Sequence, residues 1–384
     1  MKILIAIGSR ANYSSIKSFI NACHLNKDIN LLIVCFASAV LEEYGNIADM
    51  IEIDGYPVKY KLSNLLAGNK PTDMSKSTGL ALIDITSVLV NENPDYCVTV
   101  GDRFETIATA IASSYSNIRV IHTMGGELSG SIDESIRHAV TKLSHLHFTA
   151  TEDARLRVIR LGEDPKYVLN VGCPRLDLVK SIIKNPLDAI DIRELEDLGV
   201  GSKLDFEKEF AIISMHPVTT SDSILDIRPL IMNVLEHGLQ IVCLWPNADS
   251  GSAIISKSIR KLRESGYVNQ ERIKFYKNLP VSIYIKLMNK CSVLIGNSSS
   301  GIREGAFIGT PCINIGTRQE SRERGPNVID IPKYEKKRFS KILIEQLNHR
   351  KYAQSYLYGN GNACDKMIDA IMLCKPAIQK KFIE

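Results

Sequence analysis

The chain has 384 residues, 45% of them hydrophobic and 23% charged, which is the balance of a soluble globular protein and too long for one core, so two domains are expected. A formal net charge of +4 spread along the chain excludes the basic stripe of a nucleic-acid binder. Nine cysteines without a Cys-x-x-Cys, several inside apolar runs such as Ile241–Leu244, read as reduced core thiols and point to a reducing cytoplasm.

Met1–Gly8 is too short for a secretory signal and reads as a first buried strand. No apolar run is long enough to span a bilayer, so no membrane association is expected. Strands are predicted over Lys2–Ile7, Leu31–Phe36, Tyr96–Val100, Val120–Ile121, Leu146–Thr149 and Val168–Val171. Helices are predicted over Ser14–Ala22, Thr78–Val90, Phe104–Ser114, Ser135–Leu143 and Glu152–Leu161. This alternation implies βαβ units, and strands without polar alternation suit a parallel sheet covered on both faces. Lys184–Glu209 is charged and reads as an irregular interdomain segment.

A second series follows. Its strands are Phe210–Ser214, Leu239–Leu244, Ile273–Tyr276, Val293–Ile295 and Cys312–Ile315; its helices are Ser223–Leu235, Ala253–Arg263, Ser282–Met288 and Ile302–Phe307. The expected organisation is α/β, with two Rossmann-like domains over residues 1–185 and 205–384 and C-terminal helices free to pack back on the first.

In open parallel sheets, ligands bind beyond the carboxyl ends of strands, so polar residues there are candidates for chemistry. Gly8-Ser9-Arg10-Ala11-Asn12 follows the first strand. It is either an anion site built on a helix start and Arg10 or a plain strand–helix turn. It lacks the dinucleotide glycine pattern.

Asp102, after Gly101, is a proton-transfer carboxylate or the N-cap of the Phe104 helix. Glu127 follows Gly125-Gly126, glycines that would let backbone approach a ligand, in a segment opening on His122. Glu134 starts a helix on which Arg137 and His138 share its face, with Asp133 as the expected cap. The plain alternative there is a solvated helix face. Several carboxylates in one cleft separate one another's pKa values and hence their acid and base roles.

In the second half, His216 ends a strand and is a phosphate donor, an acid/base, or a structural histidine. Trp245–Gly251 offers the loop polar groups Asn247 and Asp249. Gly296–Gly305 contains Ser299, Ser300, Gly301 and Glu304 between a strand and a helix, where hydroxyls and N–H groups can cradle a diphosphate. Glu304 is placed to accept from sugar or ribose hydroxyls, and Arg318 to neutralise phosphate. His145-Leu146-His147 lacks nearby carboxylates at ligand spacing, so it reads as a strand with two polar positions, and no metal is expected.

Taken in order from residue 8 to about 325, these motifs resemble the UDP-N-acetylglucosamine 2-epimerases, in particular the hydrolysing branch of sialic acid and legionaminic acid synthesis. The matching pieces also include Gly172-Cys173-Pro174-Arg175 and Gly316-Thr317-Arg318-Gln319. The resemblance implies a glycosyltransferase-B-like fold with its active site in the interdomain cleft. It implies UDP held mainly by the C-terminal half and chemistry mainly from N-terminal acids. Asp102, Glu127, Glu134 and His216 are then catalytic. Arg10, Ser299, Ser300, Glu304 and Arg318 contact the nucleotide, and Ala11, Asn12, His122, Arg137, His138, Asn247, Asp249 and Gly301 complete the binding set. Asn12 stands where the family often has an acid.

The expected reaction converts UDP-N-acetylglucosamine and water to N-acetylmannosamine and UDP without a redox cofactor. The alternatives are a hydrolysing 2-epimerase of a UDP- or GDP-linked 2,4-diacetamido-trideoxyhexose, a non-hydrolysing epimerase, a glycosyltransferase of the same architecture, or a nucleotide-sugar sensor. An assembly of two or four copies is expected.

Overall fold

A computed structural model describes the chain except residues 67–70, 130–131, 218–225, 247–251, 265–271, 278 and 384, and the side chains of 71 and 252–254. The chain divides into two compact units, Met1–Leu178 with Tyr358–Glu384, and Val179–Leu357.

The first unit opens with β1 (Lys2–Ile7), α1 (Arg10–Leu25), β2 (Asn30–Phe36), α2 (Ile47–Ile53), β3 (Val58–Leu62), α3 (Pro71–Glu92) and β4 (Tyr96–Val100). It continues with α4 (Phe104–Tyr115), β5 (Arg119–Thr123), α5 (Asp133–Leu143), β6 (Leu146–Thr149), α6 (Glu152–Arg160), β7 (Val168–Asn170) and α7 (Arg175–Ile182). Among the described residues the strands form a seven-stranded sheet in the order β3-β2-β1-β4-β5-β6-β7, with every pairing parallel. β1 (KILIAI) and β4 (YCVTV) are buried almost throughout, as a sheet covered on both faces requires. The strand order reverses between β1 and β4, which makes their carboxyl ends the switch point where such sheets bind ligands.

The second unit contains α8 (Ala189–Leu198), β8 (Val200–Gly201), β9 (Phe210–Ser214), α9 (Arg228–Glu236), β10 (Gln240–Leu244), α10 (Ser252–Glu264) and β11 (Ile273–Tyr276). It is completed by α11 (Val281–Lys290), β12 (Val293–Gly296), α12 (Ser299–Ile302), α13 (Glu304–Ile308), β13 (Cys312–Ile315), β14 (Val328–Ile331) and α14 (Lys336–His349). Its sheet runs β14-β13-β12-β9-β10-β11-β8, parallel except where β8 meets β11. Here the switch point lies between β9 and β12. The last helix, α15 (Ala363–Leu373), packs on α1 in the first unit.

Three local expectations change. The charged segment 184–209 is irregular only at its two ends, with α8 and the short β8 between them. Asp188 and Asp191 form a reciprocal capping box that starts α8, which satisfies its first amides. The expected helix Ile302–Phe307 is two short helices broken at Arg303 (φ −88°, ψ −68°). β3 (VKYKL) escapes a search for apolar runs because it alternates. It is an edge strand whose Lys59 and Lys61 pair with Glu92, Asp49 and Glu52, as charged edge residues commonly guard such strands.

Candidate active site

In the first unit, the switch point is tied together by Asn12. Its side-chain carbonyl accepts from Gly8 N at 3.1 Å and its amide donates to the Val100 carbonyl at 2.8 Å. One buried side chain thus joins the ends of β1 and β4, a bond a carboxylate could not donate. Ser9 caps α1, accepting from the Asn12 N–H, so within Gly8–Asn12 the side chains of Ser9 and Asn12 bond to the turn itself. Gly8 is required because a Cβ there would meet Glu105 Cγ at 2.4 Å. Arg10 begins α1 and Ala11 is exposed beside it.

Gly101 (φ +77°) turns the chain out of β4. His122 sits beneath it, fully enclosed, with Nε2 3.3 Å from the Gly101 carbonyl and Nδ1 3.2 Å from Thr141 Oγ1. Burial first, then neighbouring charges, push its pKa down to about 3. The neutral ring therefore donates from Nε2, since a carbonyl only accepts, and takes the Thr141 hydroxyl at Nδ1. His122 supports the turn that carries Asp102.

Asp102 is not the cap of α4. Arg103 holds that position, with no side-chain cap bond. Instead the Asp102 carboxylate accepts from Arg137 Nη2. Arg137 departs from the expected shared face. It is turned inward and buried, also donating to the Glu127 carbonyl through Nη1 and to Ser129 Oγ at 3.2 Å. One guanidinium fork thereby fixes Asp102 and the backbone of the Glu127 segment, a use that suits the planar geometry of Arg.

Glu134 and His138 remain half-buried and face each other (3.7 Å). Glu134 also accepts from the Ser129 N–H at 2.6 Å. Ile132, rather than Asp133, holds the cap position of α5. The pair Gly125-Gly126 has packing reasons of its own. A Cβ on Gly125 would lie 2.9 Å from His122 Nδ1, and one on Gly126 (φ +75°) 2.2 Å from the Ala154 carbonyl. These glycines admit the protein's own groups. Glu127 itself is buried.

In the second unit Asn297 takes the part Asn12 takes in the first. It accepts from His216 N at 2.7 Å and donates to the His216 carbonyl at 2.8 Å, joining the ends of β9 and β12. Arg318 Nη1 (3.1 Å) and Gln319 Nε2 (3.0 Å) both donate to the Asn297 carbonyl. The buried His216 ring lies 3.3 Å from Ser214 Oγ.

The Ser300 hydroxyl sits between Tyr284 (2.7 Å) and Ser298 (2.9 Å). Ser299 is partly exposed at the start of α12. Gly301 is a packing glycine, since its Cβ would meet Cys312 Sγ at 2.5 Å. Glu304 begins α13 and is buried. Asn247 and Asp249 lie outside the described residues.

His145 and His147 have protein partners. His145 accepts from Val120 N and faces the Ile378 carbonyl at 3.0 Å; His147 faces Glu163 Oε2 at 3.1 Å. Residues the sequence did not single out include Thr141 and Tyr284. Thr141 and Tyr284 lie inside helices, where no local signal marks them.

A family model described as UDP-N-acetylglucosamine 2-epimerase matches residues 21–372. A protein of Legionella pneumophila named UDP-N,N'-diacetylbacillosamine 2-epimerase (hydrolyzing) is 34% identical over 99% of this chain and 98% of its own. One of Campylobacter jejuni named GDP/UDP-N,N'-diacetylbacillosamine 2-epimerase (hydrolyzing) is 32% identical over 86% of this chain and 84% of its own. The crystal structure of Methanocaldococcus jannaschii UDP-GlcNAc 2-epimerase in complex with UDP-GlcNAc and UDP superposes with a TM-score of 0.79 at 20% identity, covering 97% of this chain and all of that one. The fold class is therefore α/β, glycosyltransferase-B-like, with two Rossmann-like units.

Proposed function

Because the chain belongs to the UDP-N-acetylglucosamine 2-epimerase family, we propose that it is a hydrolysing 2-epimerase that converts a UDP-linked 2-acetamido sugar and water to UDP and the free 2-epimer. The observation that carries the reading is the assembly at the β1/β4 switch point, where Arg137 holds Asp102 and the Glu127 backbone together. The C2 proton of such a sugar is not acidic, so its removal must accompany departure of UDP from C1. Water then adds at C1, and a proton returns to C2 on the opposite face. This needs two differently placed acid/base groups or one that moves. Asp102, Glu127 and Glu134 are the candidates.

His216 and Arg318, with Ser299, Ser300 and Glu304, are assigned to the nucleotide, stabilising charge on the leaving diphosphate. The route needs no redox cofactor. We place the enzyme in the cytoplasm, as two or four copies.

The names of the Legionella and Campylobacter proteins favour a 2,4-diacetamido-trideoxyhexose substrate. UDP-N-acetylglucosamine is the second reading, supported by the family description. Incubation with each sugar nucleotide in deuterated water tests both. Free UDP and a free sugar one mass unit heavier at C2 are expected. A UDP-linked product would reject hydrolysis, and an unlabelled C2 would reject the proton-transfer roles.

A further inference from the structure

Arg157, near the end of α6, has no part in the reading above, yet its guanidinium reaches the segment that carries Glu127. Nη1 donates to the Gly126 carbonyl at 3.0 Å, while Nη2 lies 3.9 Å from Asp153, one turn back on the same helix. The next carbonyl, that of Glu127, accepts from Arg137 Nη1 on α5. Two consecutive carbonyls are thus each taken by a guanidinium from a different helix.

Each peptide group is planar, so only φ and ψ are free at a Cα. The Gly126 carbonyl belongs to the plane before the Glu127 Cα, and the Glu127 carbonyl to the plane after it. Fixing both planes fixes φ and ψ of Glu127, and with them the direction of its Cα–Cβ bond. The residues before it are held as tightly. Met124 (φ +65°) donates its N–H to the Phe148 carbonyl at 2.8 Å. Gly126 (φ +75°) is pressed on α6, where a Cβ would lie 2.2 Å from the Ala154 carbonyl and 2.9 Å from Val158 Cγ2. A non-glycine residue at positive φ persists only where its surroundings over-determine it, and such residues cluster at functional sites. Glu127 is itself buried, so close packing leaves its side chain little room to correct a misdirected Cα–Cβ bond.

We infer that Arg157 is a positioning residue for the reaction: with Arg137 it fixes the backbone on both sides of Glu127 and so aims the Glu127 carboxylate. This rests on the reading of Glu127 as an acid/base group. Arg157 acts through Glu127 and takes no proton.

The test is a double-mutant cycle on the full chain, with Arg157→Met, Arg157→Lys, Glu127→Gln and the two double variants. UDP release is followed from UDP-N-acetylglucosamine and from the UDP-linked 2,4-diacetamido-trideoxyhexose, and UDP affinity by calorimetry. Arg157→Met should lower kcat about tenfold to a hundredfold, since a misplacement of about 1 Å can cost a hundredfold. KM and UDP affinity should stay within about twofold of wild type. Arg157→Lys should recover part of the loss, because it keeps a charged donor and loses the planar fork. In the Glu127→Gln background, adding Arg157→Met should change kcat less than about twofold, because the group it positions is no longer there.

An undiminished further loss in Glu127→Gln would mean a merely structural role and overturn the inference. So would a near-wild-type kcat in Arg157→Met while Glu127→Gln is slow, or a loss that falls on UDP affinity instead. Wild-type turnover in Glu127→Gln would reject Glu127 as an acid/base group, and the inference with it. Should Arg157→Met not fold, Arg157→Lys in the same cycle decides in the same way.

Discussion

Arg137 shows how one side chain can change the sense of a sequence pattern. Glu134, Arg137 and His138 look like one helix face, but positions three and four apart diverge, so one can turn inward while the other stays at the surface. Arg137 turns inward because Asp102, Ser129 and the Glu127 carbonyl offer it acceptors. Replacing it with Met should cost on the order of 2–3 kcal/mol, less than a fully enclosed pair because Asp102 is partly exposed. Chemical denaturation checks this, and turnover should fall with it. Asp102→Asn keeps an acceptor oxygen for Arg137 but removes the charge opposite it, so stability should fall somewhat as well and turnover is read per folded molecule. Turnover should drop about 10²–10⁴-fold, the usual contribution of an acid/base group, with UDP affinity nearly unchanged. Normal turnover in this variant would remove Asp102 from the mechanism.

At the scale of elements, both units use an asparagine to tie two strand ends at the switch point, Asn12 across β1 and β4 and Asn297 across β9 and β12. The amide serves because it both donates and accepts. Asn12→Asp removes the donor to the Val100 carbonyl and should cost about 1–3 kcal/mol, the penalty of an unsatisfied buried group; a lower thermal midpoint at neutral pH is the readout. Gly126→Ala should destabilise by about 2 kcal/mol, from the positive φ and the contact with the Ala154 carbonyl. An unchanged midpoint would show that α6 can yield.

For the molecule as a whole, the chain end is part of the first unit's stability. Arg119 and Tyr96 donate to the carbonyls of Pro376 and Cys374. Lys380 pairs with Glu163 at 2.6 Å, and Ile383 N donates to the Gly162 carbonyl. Burial pushes the Glu163 carboxyl up, but His147, Lys142 and Lys380 outweigh it and hold its pKa at about 2. A carboxyl depressed on folding stabilises above its unfolded value and loses that contribution as pH falls through its folded one. Stability should therefore decline between about pH 4.5 and 2. His122, depressed to about 3, adds a decline that begins near pH 6.5. A pH series of unfolding midpoints checks both, and Glu163→Gln should flatten the acid end of the curve.

The sequence alone determined the βαβ alternation, most strand positions, and which strand ends carry polar groups. Those signals are local, set by apolar runs and the residues that interrupt them. It also carried the family, through motifs in a fixed order. What only the tertiary structure decided was what those polar groups touch. The glycines of 125–126 meet His122 and α6, Asn12 meets β4, Arg137 meets Asp102, and Arg157 meets the Gly126 carbonyl. Each is a contact between residues distant in the chain or on one helix turned two ways, and packing chooses among them where periodicity cannot. The strand β3 and the helix α8 were missed for the complementary reason. β3 alternates apolar and charged residues along a sheet edge, and α8 is a short charged helix started by its capping box, so apolar content marks neither.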